Sequence, residues 1–139
     1  MGSTNIESVL KLLKIEFNKI EFNRLGFKNC ENFKFSIESN IYIKEQKNKD
    51  EEASDIYEII LILKGDKPEE YTLEISLSGY FALESDTTLN DELRNELIEK
   101  NTVAIMMPYL RAQITILTSQ PEVECVVLPP FNINSLFDN

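Results

Sequence analysis

Histidine does not occur in the 139 residues, which removes the commonest general base and the commonest metal ligand together. Chemistry would fall to carboxylates and thiols. The acids that stand close together are Glu16 with Glu21 and Glu69 with Glu70. Acid–base work by such a pair needs one carboxyl buried in a cleft with its pKa raised. In a chain holding 24 Asp and Glu, neighbouring acids also arise from composition alone, and these read as solvated surface. Cys30 and Cys125 lie far apart and in no C-x-x-C spacing, and two thiols cannot complete a zinc site without other ligands. They are expected free and reduced. A Gly-rich phosphate loop is also missing. The expectation is no enzymatic activity, no metal and no cofactor.

The side chains with more to offer are apolar. Eight Phe and five Tyr occur in a chain without Trp, and they gather in the amino-terminal half. Leu25–Asn32, with Gly26, Asn29 and Asn32, reads as a loop that carries Phe27, with Phe33 and Phe35 just beyond it. Aromatics in that place either close over a core or present a contact surface. The residue types leave both readings open.

Strands must position them. Phe33, Phe35, Ile37, Ile41 and Ile43 alternate with polar residues, the pattern of a strand with one apolar face. Before it, Ile6, Val9, Leu10, Leu13 and Phe17 fall at helical spacing while Leu13, Ile15 and Phe17 also alternate, and Ile20 and Phe22 alternate one residue out of phase. This predicts a short helix over Asn5–Leu12, then a strand over Leu13–Leu25 carrying a β-bulge. Lys44–Asp55 is charged and predicts a solvated connection. Ile56–Lys64 (IYEIILILK) is apolar on both sides, as expected of a central strand. Gly65–Pro68 predicts a turn, and Glu70–Leu83 a further strand, with Gly79 marking a bulge or a close approach.

The period then changes. Asn90 is a candidate cap, Asp91 and Glu92 suit a first helical turn, and Leu93, Leu97 and Ile98 form a stripe. A break near Asn101–Thr102 and a kink at Pro108 are expected before Pro121 ends the helical stretch. Strands followed by helix predict one α+β domain over residues 1–139 with an antiparallel sheet. A chain of this length can bury roughly 68% of its unfolded surface, enough for a core of its own. One small sheet leaves a face to cover, so self-association is expected. The net charge of −10 argues against nucleic acid and against anionic membrane surfaces. With no apolar run long enough to span a bilayer and no signal-peptide pattern, a cytoplasmic protein is expected.

Four segments together resemble the SecB family of protein-export chaperones. Asn101–Ile114 (NTVAIMMPYLRAQI) is similar to that family's "FPY-x-R…I" signature, and Leu128–Phe137 (LPPFNINSLF) to its "LxPxNFxxLF" segment. Asp55–Leu61 (DIYEIIL) resembles the third-strand pattern, and Glu74-Ile75 with Gly79-Tyr80-Phe81 the fourth. The resemblance implies a four-stranded Greek-key sheet, a long kinked helix, a short C-terminal helical turn, and a homotetramer built as a dimer of dimers. It implies an ATP-independent holdase without cofactors that keeps non-native polypeptide extended in apolar grooves. One branch of the family guards an antitoxin.

By position, the resemblance makes Phe27, Phe33, Phe35, Ile37 and Ile41 the client-binding residues. It puts Met106, Leu110, Gln113 and Ile114 at the oligomer interface and Glu74 on the surface that meets the SecA motor. The matching first-strand positions hold Lys19 and Asn23 where family members carry acids, and the sequence stops at Asp138-Asn139, ahead of the family's motor-gripping tail. Client holding is therefore expected more firmly than delivery to SecA. A protein-interaction module that keeps the fold for one partner is the alternative from a different class, and a carboxylate enzyme ranks behind both.

Overall fold

The computed structural model describes residues 10–45, 55–83 and 91–129. Four strands, β1 (Leu10–Arg24), β2 (Lys34–Glu45), β3 (Asp55–Lys67) and β4 (Tyr71–Leu83), are followed by one long helix, α1 (Asp91–Thr118). The sheet order is β1-β4-β3-β2 and every pair is antiparallel. Three strands joined in sequence, with the first laid beside the last, make a Greek key, and the fold is α+β.

The β1–β2 connection must cross from one sheet edge to the other, and it does so over the end where β3 turns into β4. Backbone N–H groups of Leu25 and Gly26 donate to the Glu70 carbonyl at 2.8 and 3.1 Å. The Asn29 amide donates to the Pro68 carbonyl at 2.9 Å, and the Asn29 backbone N–H to Glu70 Oε1 at 3.1 Å. The β3–β4 turn itself closes through Glu70 N–H to the Lys67 carbonyl at 2.9 Å, with Pro68 and Glu69 as its central residues and Glu69 at φ 67°. That is the type II pattern, where the second central residue needs positive φ.

Alternation sorts the sheet into two faces. Odd-numbered residues of β3 and β4, from Tyr57 to Leu63 and from Tyr71 to Leu83, point toward α1 and are buried. The helix answers with Ile98, Val103, Met106, Leu110 and Ile114, at steps of three to five residues, with Met107 beside Met106, so one stripe meets the sheet. The opposite face is mostly polar, with Ile56, Ile60 and Ile62 of β3 half-buried in it. There Glu58 Oε2 accepts from Ser78 at 2.7 Å and Tyr80 at 3.1 Å, while Lys44 approaches Glu58 Oε1 at 3.0 Å. One face dry and one wet is the usual bargain of an antiparallel sheet.

Several expectations change. Leu10–Leu12, expected in a helix, belong to β1, because Leu10 and Leu12 pair with Leu83 and Phe81 across the ladder. The rest of that expected helix lies outside the described residues, as do Asn90 and the last helical turn. The bulge between Phe17 and Lys19 stands where the phase slipped, and a second lies between Leu12 and Lys14. Gly65 lies within β3, not in a turn: a Cβ there would stand 2.5 Å from the Phe33 ring. Gly79 is a close approach, 2.8 Å from a would-be Cβ to Met106 Sδ. The helix runs unbroken past Asn101–Thr102, where the Thr102 hydroxyl bonds back to the Ile98 carbonyl at 2.8 Å, and it contains Pro108.

Candidate functional site

Helix α1 lies over β4, β3 and β1, and Ser39 Oγ of β2 donates to its Glu99 Oε1 at 2.9 Å. The helix-side face of β2 is left partly open. By register, Phe35, Ile37, Ile41 and Ile43 stand on that face opposite Gly65, Leu63, Ile59 and Tyr57. Ile37 and Ile41 are half-buried against the core, whereas Phe35 and Ile43 expose 38% and 52% of their surface. The result is a floor one strand wide, bordered by the helix, apolar on either side of Ser39 and its bond to Glu99.

The crossover closes one end of this floor. Phe33 is half-buried, its ring stacked on Phe35 at 5.9 Å between centroids and tilted against Tyr71 at 6.1 Å. Tyr71 continues the stack to Phe22 at 4.8 Å. Phe27, earlier in the crossover, is 91% exposed. The two readings of these aromatics therefore divide: Phe33 is a lid on the core, Phe27 is free surface, and Phe35 is both. The structure brings Phe33, Phe35, Ile37 and Ile41 together on one face and leaves Phe27 apart from any packing. Ile43 joins them, and its in-phase alternation with Ile41 was the signal.

Beneath the crossover lies a buried ion pair. Lys67 Nζ stands 3.1 Å from Glu70 Oε1, and both side chains are nearly inaccessible. Burial pushes the Glu70 carboxyl up, but the Lys67 hydrogen bond, the Asn29 N–H and the charges of Lys67 and Arg24 outweigh it and hold the pKa below its ordinary value. Glu70 stays ionised near neutrality, so it is a structural anion and no general acid. Its neighbour Glu69 is exposed. Glu16 and Glu21 lie on the polar face, bound up with Tyr80 and Lys14 and with Lys19 respectively. Among the described residues, no three acids or cysteines gather as a metal site would require.

Three of the four positions expected at an oligomer contact lie elsewhere. Met106, Leu110 and Ile114 have no exposed surface, being covered by the chain's own sheet, and of the four only Gln113, half-buried, keeps surface to offer. The exposed side of α1 is formed by Ala104, Pro108, Tyr109, Ala112 and Ile116. Helical spacing alone could not say which stripe meets the sheet. Glu74 is on the polar face, 3.4 Å from Lys19 Nζ.

No protein-family model matches the chain. An uncharacterised protein of Methanocaldococcus jannaschii is 28% identical over 113 residues, covering 78% of this chain and 69% of that protein. Among solved structures, the SecB-like chaperone Rv1957 of Mycobacterium tuberculosis, in complex with a ChAD peptide from the HigA1 antitoxin, superposes with a TM-score of 0.69 at 9% identity, covering 91% of this chain and 90% of that one. A protein of unknown function from Streptococcus agalactiae gives 0.51 at 13% identity, over 86% and 96%. At these identities the likeness is one of fold, and the fold is SecB-like.

Proposed function

We propose that this chain is a SecB-like holdase that binds extended, non-native polypeptide without nucleotide or cofactor. The observation that carries this reading is the partly uncovered apolar face of β2, with Phe35 and Ile37 on one side of the Ser39–Glu99 contact and Ile41 and Ile43 on the other, Phe33 stacked at one end and Phe27 exposed in the crossover beyond. A folded partner would need a shaped surface; a one-strand apolar trough with aromatic anchors suits a chain that is extended and variable in sequence. The client-binding residues are then Phe27, Phe33, Phe35, Ile37 and Ile41, with Ile43 added. A dedicated role, holding one antitoxin segment, is the second reading, favoured by the antitoxin peptide bound to the M. tuberculosis neighbour.

The assembly proposed with this function is a dimer of dimers. The outer side of α1 offers Tyr109 and Ile116, and a cleft of about 400 Å³ lies between Pro108, Ala112, Ile116 and Val127. Light scattering of the purified chain is expected to give a tetramer, and Ile116→Glu to give a smaller species. Delivery to SecA has weaker support, because Lys19 offsets the charge of Glu74.

Suppression of aggregation of a chemically unfolded model protein, diluted without ATP, tests the function. Wild type is expected to suppress it, and Phe27→Ala combined with Phe35→Ala to lose most of the effect while unfolding at the same denaturant concentration. A folded wild type that protects no generic client, yet binds an antitoxin peptide, would favour the dedicated role.

A further inference from the structure

We propose that the cavity beneath the crossover is an anchor pocket for one neutral carboxamide side chain, asparagine or glutamine, of a bound polypeptide. Its occupant rests on the holdase reading; its selectivity rests on the pocket's own chemistry. The cavity measures about 230 Å³ and lies where the crossover, the β3–β4 turn and the segment after α1 meet. That is below the roughly 300–1,000 Å³ of pockets for whole small molecules and suits a single side chain. Phe33 lines it and also stacks on Phe35, so a chain lying along β2 passes its mouth.

Two buried residues with polar ends, Tyr71 and Lys67, line the interior. Tyr71 is wholly buried, lines the cavity, and its hydroxyl has no hydrogen-bonding partner among the described residues. A buried phenol left unpaired is destabilising, so it points to a group that completes it. Burial, then the charges of Glu70 and Glu124, push the phenol up to about 12, and it stays a neutral donor at physiological pH. Lys67, also in the wall, is neutralised by Glu70. Glu31 and Glu124 line the cavity as exposed acids.

These groups select by charge. An anionic side chain would meet Glu31 and Glu124 at the entrance and Glu70 behind. A cationic one brings only donors and leaves the Tyr71 hydroxyl without an acceptor. A carboxamide has neither fault: its carbonyl accepts from the Tyr71 hydroxyl, its NH₂ donates to a rim carboxylate, and its plane lies against the Phe33 ring.

Titration of the ¹⁵N-labelled chain with propionamide, propionate and propylammonium tests the pocket without a peptide. Propionamide is expected to move the amide resonances of Glu31, Glu124 and Cys125 saturably, the two ions are not, and Tyr71→Phe is expected to abolish the response. This variant removes a hydroxyl that has no partner, so it should stay folded. Absence of a saturable shift, an equal response to the ions, or a response that survives in Tyr71→Phe would overturn the proposal. A fluorescent peptide of alternating Phe and Ser with a central Gln is expected to bind about five-fold more tightly than its Ala counterpart, the worth of one good hydrogen bond. That ratio should fall to one in Tyr71→Phe. Equal binding of both peptides to wild type would sink the pocket and leave the holdase standing. Binding of neither, with the propionamide response intact, would remove the holdase reading and the polypeptide occupant with it.

Discussion

Glu69 holds a left-handed backbone, φ 67°, at the position of a type II turn that glycine usually fills. A side chain there is strained, and this one is exposed, so the turn gains nothing visible from keeping it. Glu69→Gly is expected to raise stability by about 0.5–1 kcal/mol, read as a higher urea midpoint with unchanged slope. A drop would mean that the Glu69 side chain does something for the turn that its exposure hides. Gly65 shows the converse logic. It occupies an ordinary strand position, yet a Cβ would collide with the Phe33 ring at 2.5 Å and with Leu73 Cδ1 at 3.0 Å. Neither role was legible in the residue string, where Gly65 looked like turn punctuation and Glu69 like surface. What decided both was a contact across the fold: Phe33 sits on Gly65 only because the crossover returns over that end of the sheet.

At the level of elements, alternation was enough for the four strands, and the change of period was enough for the helix. The phase slip after Phe17 marked a true bulge. The strand ends were not legible, because pairing across the ladder, Leu10 with Leu83 and Lys34 with Asp66, extends strands beyond their local pattern. The candidate floor was half legible. Phe35, Ile37 and Ile41 alternate in sequence, but that α1 leaves this face of β2 partly open follows from how the helix seats on β3 and β4. Its seating also decides which helical stripe is core, which is why Met106, Leu110 and Ile114 are covered. Pro108 bears on this seating directly. It cannot donate to the carbonyl four residues back, and both it and Ala104 are exposed, so packing does not repay the loss on that side. Pro108→Ala is expected to stabilise the chain by about 1–3 kcal/mol in urea unfolding. A destabilisation instead would show that the geometry imposed by proline is what brings Met106 and Leu110 onto the sheet.

For the molecule as a whole, acidity is the governing property, and two carboxylates turn it into a pH dependence. Glu58 is drawn upward by burial, but the Ser78, Lys44 and Tyr80 contacts outweigh this and leave its pKa below the ordinary 4.5; Glu70 is likewise lowered by Lys67 and the Asn29 N–H. Each is more acidic folded than unfolded, so the unfolded chain takes up protons first as pH falls. Their contribution is complete above the ordinary carboxylate range and is lost as pH drops through 4.5 toward the lowered folded values. The two sit in different places: Glu58 joins β2, β3 and β4 on the polar face, while Glu70 ties the crossover to the β3–β4 turn. Acid should therefore loosen the crossover that carries Phe27 and Phe33 as well as the sheet. The isoelectric point, near 4.5, falls in the same window, so self-repulsion vanishes as the anchors are lost. The urea midpoint is expected to be flat around neutrality and to fall steeply below about pH 4.5, and Glu70→Gln is expected to shallow that fall while lowering the neutral plateau. An unchanged slope in Glu70→Gln would show that the buried Lys67–Glu70 pair does not couple folding to acid, and the dependence would then rest on Glu58.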